Sequence, residues 1–266
     1  MMPYLYRLLE HTPPSVRRIV VQRWYQRTSG NYRDKEWTFM NWGFVDLDSK
    51  ASRLELDPSL EAERYSVQLY HHVVSAVDIK GKDVLEVGSG RGGGAAYIQR
   101  YLQSRTMTGV DFSANLVDFS QATHTAEGLT FIAGDAESLP FDDHSFDVVI
   151  NVESSHTYGS METFLGEVTR VLRPNGYFLF ADVRPKESIH TLRCQLHDSG
   201  LHILDEKDIS QNVLKALETD TGRKYTLIKA KVRQVIARSI KNFAGMRGLS
   251  SGETQYLSVV MQKGAA

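Results

Sequence analysis

The sequence reads Val84-Leu85-Glu86-Val87-Gly88-Ser89-Gly90-Arg91-Gly92-Gly93-Gly94 at the point that decides its fold class. An apolar run typical of a buried strand leads directly into glycines, and a helical segment follows. Glycines let the backbone turn tightly and let a ligand approach it closely. Gly88, Gly90 and Gly93 also satisfy G-x-G-x-x-G, a pattern that is weak evidence for a dinucleotide site when it stands alone. The segment therefore predicts a strand–turn–helix unit with a ligand at the turn.

Short apolar runs alternate with helical segments from Lys82 onward, which predicts a parallel sheet with crossover helices. Arg173-Pro174-Asn175-Gly176 predicts a turn in which proline fixes φ and glycine permits a positive φ. We expect helices at Met161–Leu172, Ile189–Asp198 and Val213–Phe243, the last one basic and interrupted near Thr221–Gly222. The predicted strands are Asp83–Val87, Met107–Asp111, Leu129–Ala133, Phe146–Val152, Tyr177–Asp182, His202–Ile209 and Thr254–Gln262. The predicted fold class is a doubly wound α/β fold with a mostly parallel, seven-stranded sheet.

The sequence before residue 79 differs in character from the rest. Residues 1–78 are predicted to form a helical lid over a substrate, with helices around Val16–Trp24 and at Pro58–Val77. Its aromatic residues either line an apolar substrate or form a plain helical core, and its helices can pair two copies of the chain. Residues 79–266 are predicted to form the ligand-binding core, with a helical insertion at about 186–250. The aromatic residues are Trp24, Tyr25, Tyr32, Trp37, Phe39 and Trp42.

Composition restricts the class of protein. The 266 residues are 41% hydrophobic and 24% charged with a net charge of -1, so no overall field draws the chain to nucleic acid or to anionic membranes. The single cysteine, Cys194, excludes an internal disulfide and suggests a reducing, cytoplasmic location. No apolar run approaches the roughly 18 residues that a membrane helix requires. His71 and His72 lack the helical spacing of a metal site, so no metal is predicted.

Carboxylates follow or end the first three predicted strands. Asp111 lies 23 residues after Gly88, where a carboxylate can accept both ribose hydroxyls of an adenosine. Asp135 can accept a hydrogen bond from an adenine amino group, and a dinucleotide fold does not call for this third acid. Glu86 would repel a pyrophosphate but suits a cationic amino-acid ligand. The three acids together favour an adenosine ligand that carries an amino acid over a nicotinamide dinucleotide.

These residues together resemble the class I S-adenosylmethionine (SAM)-dependent methyltransferases over about residues 66–183. The blocks that carry the resemblance are Leu85-Glu86-Val87-Gly88-Ser89-Gly90, Gly109-Val110-Asp111, Gly134-Asp135-Ala136-Glu137-Ser138-Leu139-Pro140-Phe141, Phe146-Asp147-Val148-Val149 and Val171-Leu172-Arg173-Pro174-Asn175-Gly176. The resemblance implies SAM as cofactor, S-adenosylhomocysteine as its product, and a cofactor site on the glycine turn and the strand-end acids. The implied cofactor residues are Glu86, Gly88, Ser89, Gly90, Asp111, Phe112, Asp135, Ala136, Glu137 and Asn151.

The stretch Asn151-Val152-Glu153-Ser154-Ser155-His156-Thr157-Tyr158 follows the fourth predicted strand, where open α/β sheets bind their ligands. His156 is a candidate general base for a hydroxyl proton, or a hydrogen-bonded wall of the pocket. Asp182 ends the fifth strand and either orients His156 or forms a salt bridge to Arg184. Glu153 is a third candidate catalytic residue, because an acid there can support His156 or stabilise cationic states.

A finer resemblance concerns the acceptor. Sugar and polyketide O-methyltransferases of this class carry a His and an Asp at these two strand ends, whereas Asn151–His156 also resembles C-methyltransferases acting on sterols and tocopherols. Phe39–Phe44 and His71-His72 resemble actinobacterial and mycobacterial methyltransferases of lipids and natural products, such as phthiotriol dimycocerosate and glycopeptidolipid methyltransferases. The resemblance implies methyl transfer to a hydroxyl of a hydrophobic small molecule, such as a polyketide, glycolipid or lipid.

Three alternatives stay open from the residues alone. The first is methylation of an isoprenoid or aromatic ring carbon. The second is nucleic-acid methylation, against which stand the balanced charge and the absence of an Asn/Asp-Pro-Pro-Tyr block after the fourth strand. The third is a SAM-binding protein without catalysis, which the complete set of acids and His156 disfavour.

Overall fold

A computed structural model describes residues 37–48, 53–227 and 245–265, with the backbone alone for 221–227. The predicted helix around Val16–Trp24, the predicted oligomer surface and the part of the basic helix beyond Leu227 lie outside the described residues. Within those residues, no helix combines the length and apolar character needed to span a membrane.

The described residues form a seven-stranded sheet in the order β3-β2-β1-β4-β5-β7-β6. Strands β1 to β5 run parallel, and β7 runs antiparallel to both of its neighbours. The strands are β1 Asp83–Val87, β2 Thr106–Asp111, β3 Leu129–Ala133, β4 Phe146–Val152, β5 Leu172–Pro185, β6 Leu201–Asp208 and β7 Thr254–Lys263. This topology confirms the predicted doubly wound α/β fold with its mostly parallel sheet.

Helices cover both faces of the sheet, because alternate residues of each buried strand point to opposite sides. Val84 belongs to one apolar cluster, whereas Leu85 and Val87 belong to the cluster on the other face. A short 3₁₀ segment, Pro58–Glu63, leads into the first helix, and residues 245–251 are also helical. The helices are α1 Arg64–Val74, α2 Gly93–Tyr97, α3 Ala114–Thr123, α4 Met161–Val171, α5 Ile189–His197 and α6 Ser210–Leu227.

The order of the strands positions the site. The chain leaves β1 toward β2 and β3, then returns to place β4 on the other side of β1, so the switch point lies between β1 and β4. The carboxyl ends of the five parallel strands share one edge of the sheet. Strand β7 runs the other way, and its Tyr256 pairs with Val183 near the end of β5. A β7 residue near the amino end of that strand therefore reaches the same edge.

Helix predictions were correct in position but not in every detail. The predicted helix Pro58–Val77 is divided into a 3₁₀ turn and α1, which ends at Val74. Asp57 caps the 3₁₀ turn by accepting a hydrogen bond from the Ser59 N–H. The predicted interruption near Thr221–Gly222 is wrong, since α6 continues through it. The segment 186–250, expected to be a helical insertion, contains helices and the edge strand β6, which was predicted at His202–Ile209 and lies at Leu201–Asp208.

The predicted turn Arg173–Gly176 lies within β5 as an irregular start to the strand. The positive φ of 62° belongs to Asn175 and not to Gly176. Gly176 is needed for another reason: a Cβ there would lie 2.8 Å from the Arg173 carbonyl and 3.0 Å from that of Asp147. Close approach to the Arg173 and Asp147 carbonyls, rather than a positive φ, requires this glycine.

Candidate active site

The glycine turn after β1 is packed tightly against the loop after β4. Gly88 has a φ of 79°, and a Cβ on it would lie 1.8 Å from the Ser154 Oγ and 2.9 Å from the Tyr158 hydroxyl. The N–H groups of Gly88 and Ser89 both donate to the Val110 carbonyl of β2, at 2.8 and 2.9 Å. Only glycine fits at position 88, so this turn is fixed in place beside β2 and β4.

A cavity opens above this turn, along the carboxyl edge of the sheet. Of the predicted cofactor residues, eight line it: Gly88, Ser89, Gly90, Asp111, Phe112, Asp135, Ala136 and Glu137. Glu153 also lines it, together with Tyr70, Thr38 and Asn41. The structure thus brings together the glycine turn and the acids that follow β2, β3 and β4.

Asp111 faces the cavity with its carboxylate held by the backbone. Its Oδ2 accepts from the Gly90 N–H at 2.8 Å, and its Oδ1 accepts from the Ser113 N–H at 2.9 Å. Burial raises the pKa of Asp111 to about 6 despite these two hydrogen bonds. A carboxylate has about four acceptor positions, so both oxygens keep capacity for a ligand.

The acids after β3 organise the neighbouring loops. Asp135 accepts from the Glu137 N–H at 3.0 Å, and Glu137 accepts from the Gly159 N–H at 2.7 Å. These bonds connect the β3 loop to the loop after β4.

Two predicted cofactor residues, Glu86 and Asn151, are fully buried and do not line the cavity. Glu86 lies on the face of β1 that carries Val84, and its Oε1 accepts from the Tyr70 hydroxyl at 2.5 Å. Burial raises the pKa of this carboxyl to about 8, and hydrogen bonds from Tyr70 and from the Ala95 backbone oppose that rise only in part. Asn151 donates to the Val87 carbonyl at 2.9 Å and to the Tyr158 hydroxyl at 3.0 Å. Both residues support the cavity floor from below.

His156 and Asp182 form a hydrogen-bonded pair. The His156 Nδ1 lies 2.7 Å from the Asp182 Oδ1, so Nδ1–H donates and Nε2 is the nitrogen that can take a proton. The Asp182 carboxylate is fully buried and also accepts from Ser155, from the His156 and Val183 N–H groups, and from Arg184 at 3.0 Å. Both predicted contacts of Asp182, the hydrogen bond with His156 and the ion pair with Arg184, are therefore present, and its role in orienting a catalytic His156 stays a prediction.

The electrostatics of Asp182 keep it ionised. Burial alone would raise its pKa, but His156, Arg184 and Ser155 outweigh burial and hold the pKa of that carboxyl well below its usual range. His156 is 19% exposed. Neither residue lines the cofactor cavity, although Ser154 and Thr157 of the same loop do. The pair thus stands just beyond the rim of the cavity.

Glu153 has an unusual backbone conformation, with a φ of 49°, which is rare for a residue with a side chain. Its Oε1 accepts from the Trp42 N–H at 2.6 Å and from the Tyr256 hydroxyl at 3.0 Å. Asp182, not Glu153, is the carboxylate bonded to His156. Of the four described non-glycine residues at positive φ, Glu153 is the one that lines the cavity.

Residues 37–45 form a non-helical segment across the cavity, which we call the strap. Thr38 accepts from the Gly93 N–H, and Arg91 donates to Trp37 with its guanidinium 3.6 Å from the Phe119 ring centroid. At the other end, Val45 donates to the Asn212 carbonyl at 3.2 Å. The sequence analysis assigned residues 1–78 to a helical lid, but bonds to distant residues hold this segment in a non-helical path.

The sequence analysis missed Tyr256, Tyr70 and the main chain of the strap as parts of this site. Tyr256 occupies an apolar strand pattern that gives no sign of a polar role. The phenol of Tyr256 was the one available sign of a polar role, because a tyrosine hydroxyl that is buried in a sheet needs a hydrogen-bond partner. Within the described residues, no group of three or more His, Cys, Asp or Glu side chains is arranged to hold a metal.

The matching family model and two similar proteins are all described as methyltransferases. Residues 85–180 match the family model described as a methyltransferase domain. The chain is 41% identical to a fatty-acid O-methyltransferase of Mycolicibacterium smegmatis, over 73% of this chain and 70% of that enzyme. It is 37% identical to the phthiotriol/phenolphthiotriol dimycocerosates methyltransferase of Mycobacterium tuberculosis, over 88% of each chain.

Solved structures share the fold at low identity. The geranyl diphosphate C-methyltransferase of Streptomyces coelicolor superposes with a TM-score of 0.67 and 17% identity, over 91% of this chain and 98% of that chain. The [4+2]-cyclase SpnF superposes with a TM-score of 0.65 and 20% identity, over 84% and 87%. One architecture therefore serves different chemistries, and the residues at the sheet edge must distinguish among them.

Proposed function

Because the chain belongs to the SAM-dependent methyltransferases, we propose that it transfers the methyl group of SAM to a hydroxyl oxygen of a lipid-like acceptor. The observation that carries this proposal is the His156–Asp182 pair at 2.7 Å, beside the cofactor cavity. The relatives named for fatty acids and for phthiotriol dimycocerosates support a long apolar acceptor. On this proposal residues 79–266 supply most of the cofactor site, whereas residues 1–78 cover the acceptor and also close one wall of the cofactor cavity through residues 38–41.

The residues of the cavity fit SAM. Gly88 and Gly90 leave the backbone open to a ligand, and the Asp111 carboxylate faces the cavity where two ribose hydroxyls would donate to it. Asp135 and Phe112 would hold the adenine. Glu86 is buried beneath the turn, and because burial raises its pKa to about 8, its carboxyl would have to lose a proton before it could balance a cationic ligand. When bound, SAM supplies an electrophilic methyl group on a sulfonium sulfur.

The order of the strands separates the region that would bind the cofactor from the region that would bind the acceptor. Along the carboxyl edge, the acids after β3 and β2 and the turn after β1 come first, followed by Glu153 after β4 and Asp182 in β5. A cofactor on β3, β2 and β1 leaves the edge at β4, β5 and β7 for the acceptor. His156 lies on that side, in the loop after β4. This arrangement supports His156 as the residue that meets the acceptor.

His156 would act as the general base. Asp182 fixes Nδ1 as the donor nitrogen, which leaves the Nε2 lone pair for the hydroxyl proton. The buried Asp182 carboxylate would also stabilise the imidazolium that forms. Because the methyl donor is already activated, the remaining work of the protein is in-line positioning, exclusion of water and removal of this proton.

Methylation of a ring or isoprenoid carbon is the second candidate, and Glu153 is the observation that favours it. An acid with the aromatic groups of Trp42, Tyr70 and Tyr256 nearby would stabilise positive charge on a carbon acceptor. The chemical position of the new methyl group separates the two candidates. We would incubate the enzyme with methyl-deuterated SAM and long-chain lipid alcohols, and identify the product by mass spectrometry. Methyl ethers support the proposal, and methyl groups on carbon would reject it.

The first prediction concerns the cofactor and pH. SAM should bind in preference to NAD, and Asp111→Asn should weaken SAM binding about tenfold or more, since a hydrogen bond to a charged group contributes roughly 1.5–3 kcal/mol. Protonated Asp111 cannot accept from both hydroxyls, and its pKa in the cofactor-free protein is about 6. SAM affinity should therefore fall about tenfold between pH 7 and pH 5. Titration calorimetry of wild type and Asp111→Asn at pH 7 and pH 5 measures these SAM affinities.

The matched control for that experiment is Asp118→Asn, which removes an exposed acid outside the cavity. Asp118→Asn should keep the affinity and its pH dependence, whereas Asp111→Asn should lose the pH dependence. Equal pH dependence in wild type and Asp111→Asn would reject the ribose role of Asp111.

The second prediction concerns the strap. Removing residues 1–45 should weaken SAM binding at least about tenfold and abolish turnover, because Thr38, Phe39, Met40 and Asn41 form a wall of the cavity. Removing residues 1–36 leaves this wall intact and should keep SAM affinity within about threefold. Titration calorimetry on both soluble, folded proteins gives the comparison. A folded 46–266 protein with the affinity of the full chain would show that the strap does not hold the cofactor.

A further inference from the structure

We propose that Tyr70 binds the amino group of the cofactor, and that Glu86 acts through Tyr70 by orienting its hydroxyl. This role rests on the SAM site of the proposed function and does not depend on the class of acceptor. It replaces a direct contact between the Glu86 carboxylate and the cationic ligand. It also gives a function to α1, the helix that precedes the glycine turn and carries Tyr70.

Burial separates the two residues. Glu86 has no exposed surface and does not line the cavity, whereas Tyr70 lines it together with Gly94. With the adenosine held by the acids after β2 and β3, the amino-acid part of the cofactor extends over the turn after β1, the next strand of the sheet. A ligand group above that turn therefore reaches the Tyr70 side chain and not the Glu86 carboxyl.

The phenol of Tyr70 lies directly against the main chain that follows the glycine turn. A Cβ at position 94 would lie 2.1 Å from the Tyr70 Cζ and 2.6 Å from its hydroxyl oxygen, so this position in α2 requires glycine. On another side, Phe39 of the strap packs edge-on against the Tyr70 ring, with the ring centroids 5.9 Å apart. The ring is thus held between α2 and the strap, with its hydroxyl beside Gly94.

One hydrogen bond fixes the direction of this hydroxyl. The Tyr70 O–H donates to the Glu86 Oε1 at 2.5 Å. Burial raises the pKa of Tyr70 well above its usual value, and the neighbouring acids Glu86 and Glu153 add to the shift, so the phenol keeps its proton. Because its only proton points at Glu86, the phenol oxygen has lone pairs left to accept. An ammonium group, which can only donate, matches this oriented oxygen.

The ionisation of Glu86 decides how it acts. Burial raises its pKa to about 8, the bonds from Tyr70 and from the Ala95 N–H oppose that rise, and the nearby Asp111 adds to it. At pH 7 the carboxyl is therefore mainly protonated in the cofactor-free protein, and a negative charge is not what it offers a ligand. A neutral carboxyl still accepts from the Tyr70 hydroxyl. Glu86 is thus a positioning residue, which an uncharged side chain with the same oxygen can replace.

Three ligands test the role of Tyr70 by binding alone. S-adenosylhomocysteine has an amino and a carboxyl group, its decarboxylated form keeps the amino group, and methylthioadenosine lacks both. In titration calorimetry at pH 7, Tyr70→Phe should bind the two amino ligands about tenfold more weakly than wild type and methylthioadenosine within about threefold, because one hydrogen bond to a charged group is lost. Equal losses for all three ligands would overturn the proposal, since the phenol would then only shape the cavity.

The matched control is Tyr97→Phe. It removes another buried tyrosine hydroxyl, which bonds to His71 at 2.9 Å and lies outside the cavity. All three affinities should equal those of wild type. Circular dichroism and thermal melting show whether each variant is folded.

Two variants of Glu86 separate orientation from charge. Glu86→Gln keeps an oxygen for the Tyr70 hydroxyl and should bind all three ligands within about threefold of wild type. Glu86→Leu removes that oxygen and should lose about tenfold for the amino ligands alone, and adding Tyr70→Phe to it should cause little further loss. A tenfold loss of the amino ligands in folded Glu86→Gln would overturn the proposal, because the ligand would then respond to the charge of Glu86. Tyr70→Phe and Glu86→Gln are close to isosteric and decide the question even where Glu86→Leu does not fold.

Discussion

Replacing His156 by alanine should lower kcat by about 10²–10⁴-fold, the usual range for loss of a general base. SAM affinity should change little, because His156 does not line the cofactor cavity. Added imidazole should restore part of the activity of the variant. Stopped assays with a lipid alcohol at saturating SAM measure each of these quantities.

The control for this variant is His197→Ala, which removes a side chain that is 84% exposed at the end of α5. Its kcat should equal that of wild type. Asp182→Asn is a less suitable test, because it leaves the buried Arg184 beside a neutral partner and a broken buried ion pair costs about 3–5 kcal/mol of stability. If folded His156→Ala keeps most of its kcat, His156 is not the base, and Glu153 becomes the residue to examine for carbon methylation.

Replacing Gly88 by alanine should reduce SAM affinity at least about 100-fold. The φ of 79° disfavours a side chain by about 1–2 kcal/mol, and the added Cβ would lie 1.8 Å from the Ser154 Oγ. The turn or the loop after β4 must move, and either change displaces the main chain that faces the cofactor. Calorimetry gives the affinity, and circular dichroism with thermal melting shows whether the variant folds.

Two further variants distinguish the effect of backbone strain at a positive φ from the effect of the steric clash between the new Cβ and Ser154. Gly81→Ala has a similar φ of 70° but no atom within 4 Å of the new Cβ, so it should lose stability and keep SAM affinity. Adding Ser154→Gly to Gly88→Ala removes the collision with Ser154 and should recover part of the affinity. Wild-type affinity in folded Gly88→Ala would show that the turn does not approach the cofactor closely.

The sheet was predictable because its strands are short buried apolar runs whose limits are set by local residues. The predicted strands agree with β1, β3 and β4 at both ends, and β2 and β7 differ by one residue. Strand β5 is longer than predicted, since its irregular start at Asn175 depends on pairing with β4 and on a bond to the Gly264 carbonyl. Such contacts lie far along the chain and leave no local pattern.

The candidate site was predictable only where it follows a strand directly. Asp111, Asp135 and Glu153 come at strand ends, so topology alone brought them to one cavity. Glu86 is also near a strand end, but side-chain alternation turns it beneath the sheet edge toward Tyr70. The bonds of Glu153 to Trp42 and Tyr256 span 111 and 103 residues, and no spacing rule in the sequence covers that separation.

The strap has a consequence for the timing of catalysis. Thr38, which bonds to Gly93 in the wall of the cofactor cavity, and Trp42, which bonds to Glu153, are four residues apart on one short segment. A displacement of the strap large enough to let the spent cofactor leave also withdraws one of the two donors to Glu153. Opening of the cofactor cavity and the hydrogen bonding of Glu153 are therefore not independent events, because both depend on one short segment of chain.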